Sequence, residues 1–188
     1  VEKEDELYFG KVVTGVRCYL AISGGINVKN VLKSKSFYST ITPEYKLEAG
    51  HELPIQENIN KLKEIKNHVS LANNYLRANV LEVFKGPEYN LLTNSQKEFL
   101  ETNEFTITAN NRMAYFLKEE LHNTLSGIIT SSVFPGTIQL TPSGKLIVLM
   151  NDCQTTGGYP RVLQLTQHAI AVLSQKKQNQ SINFKIIN

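Results

Sequence analysis

Short apolar segments separated by turn-forming residues run through most of this 188-residue chain. They are rich in Val, Ile, Leu, Phe and Tyr, and Gly, Pro, Asn or Ser stand at their ends, which is the pattern of β-strands. The predicted strands, one of which contains a turn at Gly50, are 12–23, 47–55, 79–84, 104–108, 112–118, 127–134, 137–141, 145–150, 162–166 and 182–187. So many short strands predict a mainly β chain, folded as a barrel or a sandwich.

Few segments have the pattern of a helix. Residues 93–102 predict one, because Thr93 can cap its first turn and Gln96 can complete a capping box three residues later. Phe99 and Leu100 would then face the core. Residues 169–177 predict a second short helix.

A lysine-rich stretch at 58–76 contains neither glycine nor proline and separates two strand-rich regions. Its apolar residues recur at helix-like spacing, at Ile59, Leu62, Ile65 and Val69. We expect a linker with some helix. The predicted organisation is a first domain at 1–57, a linker at 58–78 and a second domain at 79–188.

Composition and spacing argue against several functions. The net charge is only +3, the lysines are spread along the chain and acidic residues lie between many of them, so nucleic-acid binding is not expected. No apolar run approaches the ~18 residues of a membrane span, and a cytoplasmic protein is the simplest interpretation. No metal is expected either, because the cysteines and histidines lack metal-ligand spacing; they are Cys18, Cys153, His51, His68, His122 and His168.

The richest set of polar groups follows the apolar run that ends at Met150. Asp152 and Gln154 come directly after this predicted strand, and residues two apart on a strand share a face. Together they could bind an amide, accepting from its N–H and donating to its C=O, and Asp152 could act as a general base if burial raised its pKa. Alternatively, Asp152 caps the loop by accepting from the backbone of Thr155 or Thr156.

Two further features could belong to the same site. Gly157 and Gly158 follow the polar groups, and glycines allow close approach of backbone as well as positive φ. Arg112 stands at the head of a predicted strand, where an arginine is usually solvated or in a salt bridge. Its guanidinium could instead bind a carboxylate or a phosphate through two parallel hydrogen bonds.

Five segments, in order, resemble those of the C subunit family of bacterial ATP-dependent 5-oxoprolinase. This family is related to the carboxyltransferase part of urea amidolyase. The segments are G-V-R-C-Y-L-A-I-S-G-G-I at 15–26, G-P-E-Y at 86–89, N-R-M-A-Y at 111–115, F-P-G-T-I-Q-L at 134–140 and D-C-Q-T-T-G-G-Y-P at 152–160. The chain departs from the family pattern at Ala114, where glycine is common, and at Lys35, where arginine is common.

The resemblance implies a fold and a site. The fold would be two cyclophilin-like β-barrels in tandem, the first incomplete because the family carries an upstream segment that is missing here. Asp152, Gln154 and Arg112 would line the cleft between the barrels. Arg112 would neutralise a substrate carboxylate or a phosphorylated intermediate, and the other two would orient a ring amide. Substrate binding would also involve Thr155, Gly157, Gly158, Tyr159 and Asn111.

The resemblance also implies an activity and partners. The chain would belong to an enzyme that opens the lactam of 5-oxoproline to give L-glutamate. Its two partners would be the B subunit, a related barrel protein, and the A subunit, a separate polypeptide. The assembled complex would bind ATP. One alternative is a biotin-dependent carboxyltransferase acting on urea or a similar small amide. A second is a regulatory partner that antagonises an inhibitor of a sporulation kinase. A third is a folded fragment without activity.

Overall fold

The computed structural model describes residues 4–13, 15–56 and 74–187. The chain forms two compact units, one comprising Val1–Arg17 with Leu71–Asn188 and the other Cys18–Ser70. Most of the predicted linker lies outside the described residues, and its last part contains the short helix α1, Asn74–Arg77.

The described residues of the larger unit form nine strands and two longer helices. The strands are β1 Val80–Lys85, β2 Phe105–Asn110, β3 Ala114–Glu120, β4 Ser131–Ser132, β5 Thr137–Leu140, β6 Lys145–Leu149, β7 Thr156–Gly157, β8 Arg161–Leu165 and β9 Ser181–Ile186. The helices are α2 Asn94–Thr102 and α3 Gln167–Leu173, and a 3₁₀ turn covers Tyr89–Leu91.

Seven of these strands close a barrel in the order β1-β8-β5-β6-β3-β2-β9. Strands β1 and β9 pair in parallel and so complete the ring, while the remaining pairs are antiparallel. The predicted mainly β fold with a barrel and few short helices is therefore confirmed. Among the described residues, none of the helices combines the length and apolarity needed to cross a membrane.

The inner face of the barrel is an apolar core. Leu81, Phe105, Tyr115, Ile138 and Leu163 are fully buried in it. In β1 the burial alternates residue by residue, as a strand with one face on the core requires. Burial of these side chains contributes most of the stability of the barrel, at about 25 cal/mol per Å² of apolar surface.

A second, smaller apolar cluster lies on the outer face of the barrel. It contains Ala114, Val133 and Leu149, with Phe116, Ile147 and Cys153 packed against it. Because Ala114 and Phe116 alternate along β3 with the inward-facing Tyr115, their side chains point away from the core. Because the residues of this outer cluster are buried, another segment of the chain must cover them. The candidate site lies beside that segment.

Helix α2 has the predicted capping box. The Thr93 hydroxyl accepts from the backbone N–H of Gln96 at 3.3 Å, and the Gln96 side chain accepts from the backbone N–H of Thr93 at 2.8 Å. As predicted, Leu100 is fully buried and Phe99 packs against the core. The second predicted helix is also confirmed and begins at Gln167, with Thr166 as its N-cap.

Three predicted strands are wholly or largely absent from the described residues, and two of them are 12–23 and 127–134. The segment 12–23 contains no strand among its described residues, and Val13 and Tyr19 are exposed at 97% and 84%. The segment 127–134 reduces to the two residues of β4, with Ile129 fully exposed. An apolar run forms a strand only where a neighbouring backbone completes the ladder, and the pattern of these segments says nothing about that neighbour.

In the smaller unit, the described residues pair through two isolated bridges, Ile26 with Ile55 and Val31 with Ser34. The predicted turn at Gly50 is present, with φ of 88°. The strand predicted at 47–55 is reduced to the bridge at Ile55. This unit also contains a cavity of about 540 Å³ with mainly apolar walls, among them Ile22, Val28 and Phe37.

Candidate functional site

Two loops meet at one end of the barrel. The first is the turn at 111–113 between β2 and β3, and the second follows β6. The N–H of Met150 donates to the Met113 carbonyl at 2.8 Å, and the N–H of Asp152 donates to the Arg112 carbonyl at 3.2 Å. These backbone bonds bring together two predicted site residues that are 40 positions apart in the sequence.

The Arg112 guanidinium and the Asp152 carboxylate form an ion pair, with 2.5 Å between Nε and Oδ2. The Arg112 side chain is 60% exposed and that of Asp152 is 33% exposed. The Asp152 carboxylate therefore bonds to Arg112, a partner that neither alternative for Asp152 named, and its roles in amide binding and as a general base stay predictions. The Nη groups of Arg112 donate to no acceptor in the described part of the chain.

Asn111 holds the turn that carries Arg112. Its Oδ1 accepts from the backbone N–H groups of Met113 at 2.8 Å and Ala114 at 2.9 Å. These two bonds stabilise the turn. A role of Asn111 in substrate binding stays a prediction. The methyl group of Ala114 is buried in the outer cluster, so it does not narrow the exposed surface beside Arg112.

Gln154 contacts a glutamine that the sequence interpretation did not select. Its Nε2 donates to Oε1 of Gln139 at 3.4 Å. Gln139 pairs with Ile147 across the sheet, so it faces the outer cluster. It is 2% exposed, and its Nε2 has no hydrogen-bond partner among the described residues. The sequence signal that could have found it is its place in the F-P-G-T-I-Q-L segment at 134–140, one of the five segments that carry the resemblance.

A flap, defined here as residues 128–133 with 155–158, covers the outer cluster. Strands β4 and β7 pair within it, at Ser131 with Gly157 and at Ser132 with Thr156. Outside the ladder, the N–H of Val133 donates to the Thr155 carbonyl at 3.0 Å, and the N–H of Ile128 donates to the Gly158 carbonyl at 2.9 Å. The flap therefore places the predicted residues 155–158 over the barrel.

The two glycines of the flap permit close approach and not an unusual backbone. Neither has a positive φ. A methyl group added at Gly157 would lie 2.5 Å from Gln139 Nε2, and one added at Gly158 would lie 3.1 Å from the Ile128 carbonyl oxygen. Tyr159, at the edge of the flap, is 42% exposed.

An ion pair anchors the end of the flap to the loop after β1. Arg161 donates from Nε and Nη2 to the two carboxylate oxygens of Glu88, at 2.9 and 2.8 Å, and from Nη1 to the Ser132 carbonyl at 3.0 Å. Both side chains are less than 20% exposed. The hydrogen bonds from the Arg161 side chain are the main cause of a lowered pKa for Glu88. The G-P-E motif thus has a visible structural role.

The cysteine beside the site is not activated. Burial raises the pKa of the Cys153 thiol, which keeps it protonated at neutral pH. Its side chain packs against the outer cluster. A nucleophilic role for Cys153 is therefore not supported.

The comparisons with known proteins agree with one another. The family model "Carboxyltransferase domain, subdomain A and B" matches residues 1–186. The 5-oxoprolinase C subunit of Escherichia coli is 30% identical over 90% of this chain and 56% of its own length. That of Haemophilus influenzae is 25% identical over 97% of this chain and 60% of its own length. The chain thus spans little more than half of these curated relatives.

Solved structures share the fold. The chain resembles TTHA0988 with a TM-score of 0.64 at 20% identity, over 88% of this chain and 32% of that one. It resembles the urea amidolyase of K. lactis with a TM-score of 0.64 at 19% identity, over 95% of this chain and 12% of that one. At these identities the likeness shows the fold alone. Because the family model covers nearly all of the sequence, the chain belongs to the family of carboxyltransferase domains with subdomains A and B.

Proposed function

We propose that this chain is part of the C subunit of an ATP-dependent 5-oxoprolinase, which hydrolyses the lactam of 5-oxoproline to L-glutamate. Two curated relatives are named as the C subunit of 5-oxoprolinase. The observation in the structure that carries the proposal is the ion pair of Arg112 and Asp152 beside the carboxamides of Gln154 and Gln139. A carboxylate and a lactam amide are the two polar parts of 5-oxoproline, and these groups complement both.

Arg112 would bind the substrate carboxylate, or a phosphorylated intermediate. Its Nε is bonded to Asp152, which leaves the outer edge of the guanidinium with its Nη donors toward solvent. Two parallel N–H donors match the two oxygens of a carboxylate. The ion pair with Asp152 fixes the direction in which this edge points, so Asp152 would position Arg112 as well as contact the substrate.

Asp152 and Gln154 would orient the ring amide. One oxygen of Asp152 accepts from Arg112, and the other can accept the N–H of the lactam. Gln154 is exposed and can donate to the lactam carbonyl, because its bond to Gln139 is long at 3.4 Å and uses one of two amide hydrogens. Thr155, Gly157, Gly158 and Tyr159 would shape the rim of this site, together with Asn111.

The reaction needs partners and ATP. Water adds across the ring C–N bond to give the amine and the second carboxylate of glutamate, and a second water cleaves ATP to ADP and phosphate. The sequence has no glycine-rich phosphate loop of a known type, so ATP would be bound by the complex that this chain forms with the A subunit and with the related barrel protein, the B subunit. We propose a cytoplasmic location for this complex.

A second candidate function is biotin-dependent carboxyl transfer to urea or a similar small amide. It is favoured by the family model and by the fold shared with the urea amidolyase of K. lactis. Urea offers the same N–H and C=O groups to Asp152 and Gln154, and Arg112 would then face the carboxyl group being transferred. The biotin would come from a carrier domain with an A-M-K-M type motif, which residues 1–188 do not contain. A purely regulatory role as a binding partner remains the non-enzymatic candidate.

The test is reconstitution of the intact protein with its candidate partners. It would be co-expressed with the A and B subunits of the same source, and glutamate release from 5-oxoproline would be measured with and without ATP. We expect release that depends on ATP and on all three proteins. If a well-formed complex releases no glutamate, the proposal is wrong, and carboxylation of urea with a biotin carrier becomes the reaction to assay.

A further inference from the structure

We propose that Gln139 is a substrate-binding residue, whose buried amide N–H₂ donates to the carbonyl oxygen of the substrate when the flap shifts. This inference rests on the proposed function for the identity of the substrate. The class of ligand that it implies is a small neutral amide or lactam. Gly157 covers the Gln139 amide, so residues 155–158 of the flap must move before the substrate can reach this donor.

The first observation is an unsatisfied donor inside the protein. Gln139 is 2% exposed, and its Nε2 has no acceptor among the residues that the structure describes. More than nine in ten buried polar groups in native proteins have a partner, because an unpaired buried donor costs free energy. A protein can tolerate this loss of free energy at a binding site, where a ligand supplies the missing acceptor.

Neighbouring polar side chains on the same face show what a satisfied position looks like. Thr137 lies two residues earlier in β5; its hydroxyl donates to Gln164 Oε1 at 2.8 Å and accepts from the Phe134 N–H at 3.1 Å. Gln164 Nε2 donates to the Pro135 carbonyl at 2.9 Å. The polar side chains of Thr137 and Gln164 on this face therefore have hydrogen-bond partners, whereas Nε2 of Gln139 has none among the described residues.

The surroundings select a neutral acceptor. The donor lies close to Gly157 and beside the outer cluster, in which Val133 and Leu149 are buried. An anion transferred to such a place would lose its hydration without gaining a buried cation, whereas a lactam carbonyl needs only a donor. Arg112, which is 60% exposed, is better suited to the carboxylate of the same substrate.

The flap over the donor is held by few bonds at this point. Strands β4 and β7 have two residues each, and Gly157 presents no side chain that would have to be displaced. The firm anchor of the flap is farther along, at Arg161 with Glu88. A shift confined to 155–158 would expose Gln139 and leave that anchor intact.

The experiment compares three variants of the intact protein in the assembled complex. Gln139→Met removes both polar atoms at similar volume, Gln139→Glu replaces the donor with an acceptor, and Gln164→Met is the matched control, a satisfied glutamine on the adjacent strand. The measurements are the KM and kcat for 5-oxoproline and the melting temperature of each variant.

We expect Gln139→Met to raise KM by about tenfold, the effect of one lost hydrogen bond to the substrate, with a melting temperature that is unchanged or higher. Gln139→Glu should raise KM at least as much, because it keeps an acceptor and lacks the donor. Gln164→Met should lower the melting temperature and leave KM unchanged. The proposal is overturned if Gln139→Met keeps the KM of the wild type, or if it melts several degrees lower, as a structural glutamine would.

Failure of the proposed function would be distinguishable. If the wild-type complex releases no glutamate, that function is wrong, and Gln139 is then tested by the calorimetric affinity of the wild type and Gln139→Met for 5-oxoproline and for urea. Weaker binding of either compound to Gln139→Met would support the proposal. Equal affinity of both proteins, or no binding by the wild type, would overturn it.

Discussion

At the scale of single residues, Lys176 is a charge inside the barrel unit that no part of the candidate site uses. It is 2% exposed, and its Nζ donates to Asn79 Oδ1 at 2.8 Å. Burial lowers the pKa of this lysine from its ordinary 10.5. The unfolded chain therefore binds more protons than the folded one in the interval between the lowered value and 10.5, so stability should rise with pH across that interval.

Replacing the charge tests this account. Lys176→Met should raise the free energy of unfolding at neutral pH by about 1 kcal/mol, because an ammonium no longer has to be buried and the exposed Asn79 can bond to water. The measurement is denaturant unfolding at neutral and at alkaline pH, with the gain shrinking as pH approaches 10.5. A variant that is less stable than wild type at neutral pH would show that the ammonium contributes more than it costs.

Gly86 is required for backbone contact and not for a special backbone angle. A methyl group added there would lie 2.1 Å from the Arg161 carbonyl oxygen, and backbone atoms cannot move aside as a flexible side chain can. We expect Gly86→Ala to lower the free energy of unfolding by about 3 kcal/mol or more. Gly10→Ala is the control, since nothing lies within 4 Å of the added methyl group. Equal stability of the two variants in denaturant unfolding would contradict the structure.

The sequence indicated which residues are candidates for the site better than it indicated which of them contact each other. It placed Asp152, Gln154 and Arg112 in one site on pattern and resemblance, but it left open whether Asp152 bonds to the loop backbone or whether Arg112 is in a salt bridge. The Nε–Oδ2 contact shows that Arg112 is in a salt bridge with Asp152, and the two backbone bonds between the loops bring these residues together although they are 40 positions apart. Gln139 lies in the 134–140 segment of the resemblance, but it was not selected because the sequence does not show that its Nε2 is buried without a partner among the described residues.

At the scale of elements, the Glu88–Arg161 pair joins the loop after β1 to the start of β8. The Arg161 hydrogen bonds hold the pKa of Glu88 below its ordinary 4.5. Its contribution to stability is therefore fully present above pH 4.5 and is lost as pH falls through the lowered value. Glu88→Gln should lower the free energy of unfolding at neutral pH by about 2 kcal/mol, since it leaves a largely buried guanidinium without its counter-charge.

The control for this prediction is an exposed pair of the same barrel. Glu82 and Lys185 lie 3.4 Å apart with side chains 46% and 62% exposed, so Glu82→Gln should change stability by less than about 0.5 kcal/mol. Unfolding is measured at neutral pH and again at about pH 3, where the difference between wild type and Glu88→Gln should shrink. A Glu88→Gln effect no larger than that of Glu82→Gln would mean that the pair does not anchor the flap.

Elements with local signals were predictable and elements that depend on a neighbour were not. Helix α2 followed from Thr93 and Gln96, whose capping box is a local interaction, and β1 followed from a short apolar segment that Gly86 and Pro87 end. The segment 127–134 has apolar residues of strand type, yet Ile129 is fully exposed and only Ser131–Ser132 pair. Its shape is set by the glycine-bearing segment with which it pairs, and that partner is remote in sequence.

At the scale of the whole molecule, the barrel of the larger unit presents one outer face to the flap, and the candidate site lies along that face. The closed barrel fixes β5, which carries Gln139, and the two strands joined by the turn that carries Arg112. The loop after β6 brings Asp152 to Arg112 and Gln154 to Gln139. A mainly β fold with few short helices was predictable from the number of short strands. The order of strands and the covered outer cluster were not, because they depend on pairings between distant residues.

The most direct test of this account is the rate of ATP-dependent glutamate release by the assembled complex carrying Asp152→Asn. The control complex carries Glu82→Gln, which removes a carboxylate from another exposed ion pair of the same barrel. If Asp152 positions Arg112 and contacts the lactam, Asp152→Asn should lower the rate by about tenfold or more, while Glu82→Gln keeps it. Full activity of the Asp152→Asn complex would contradict the account.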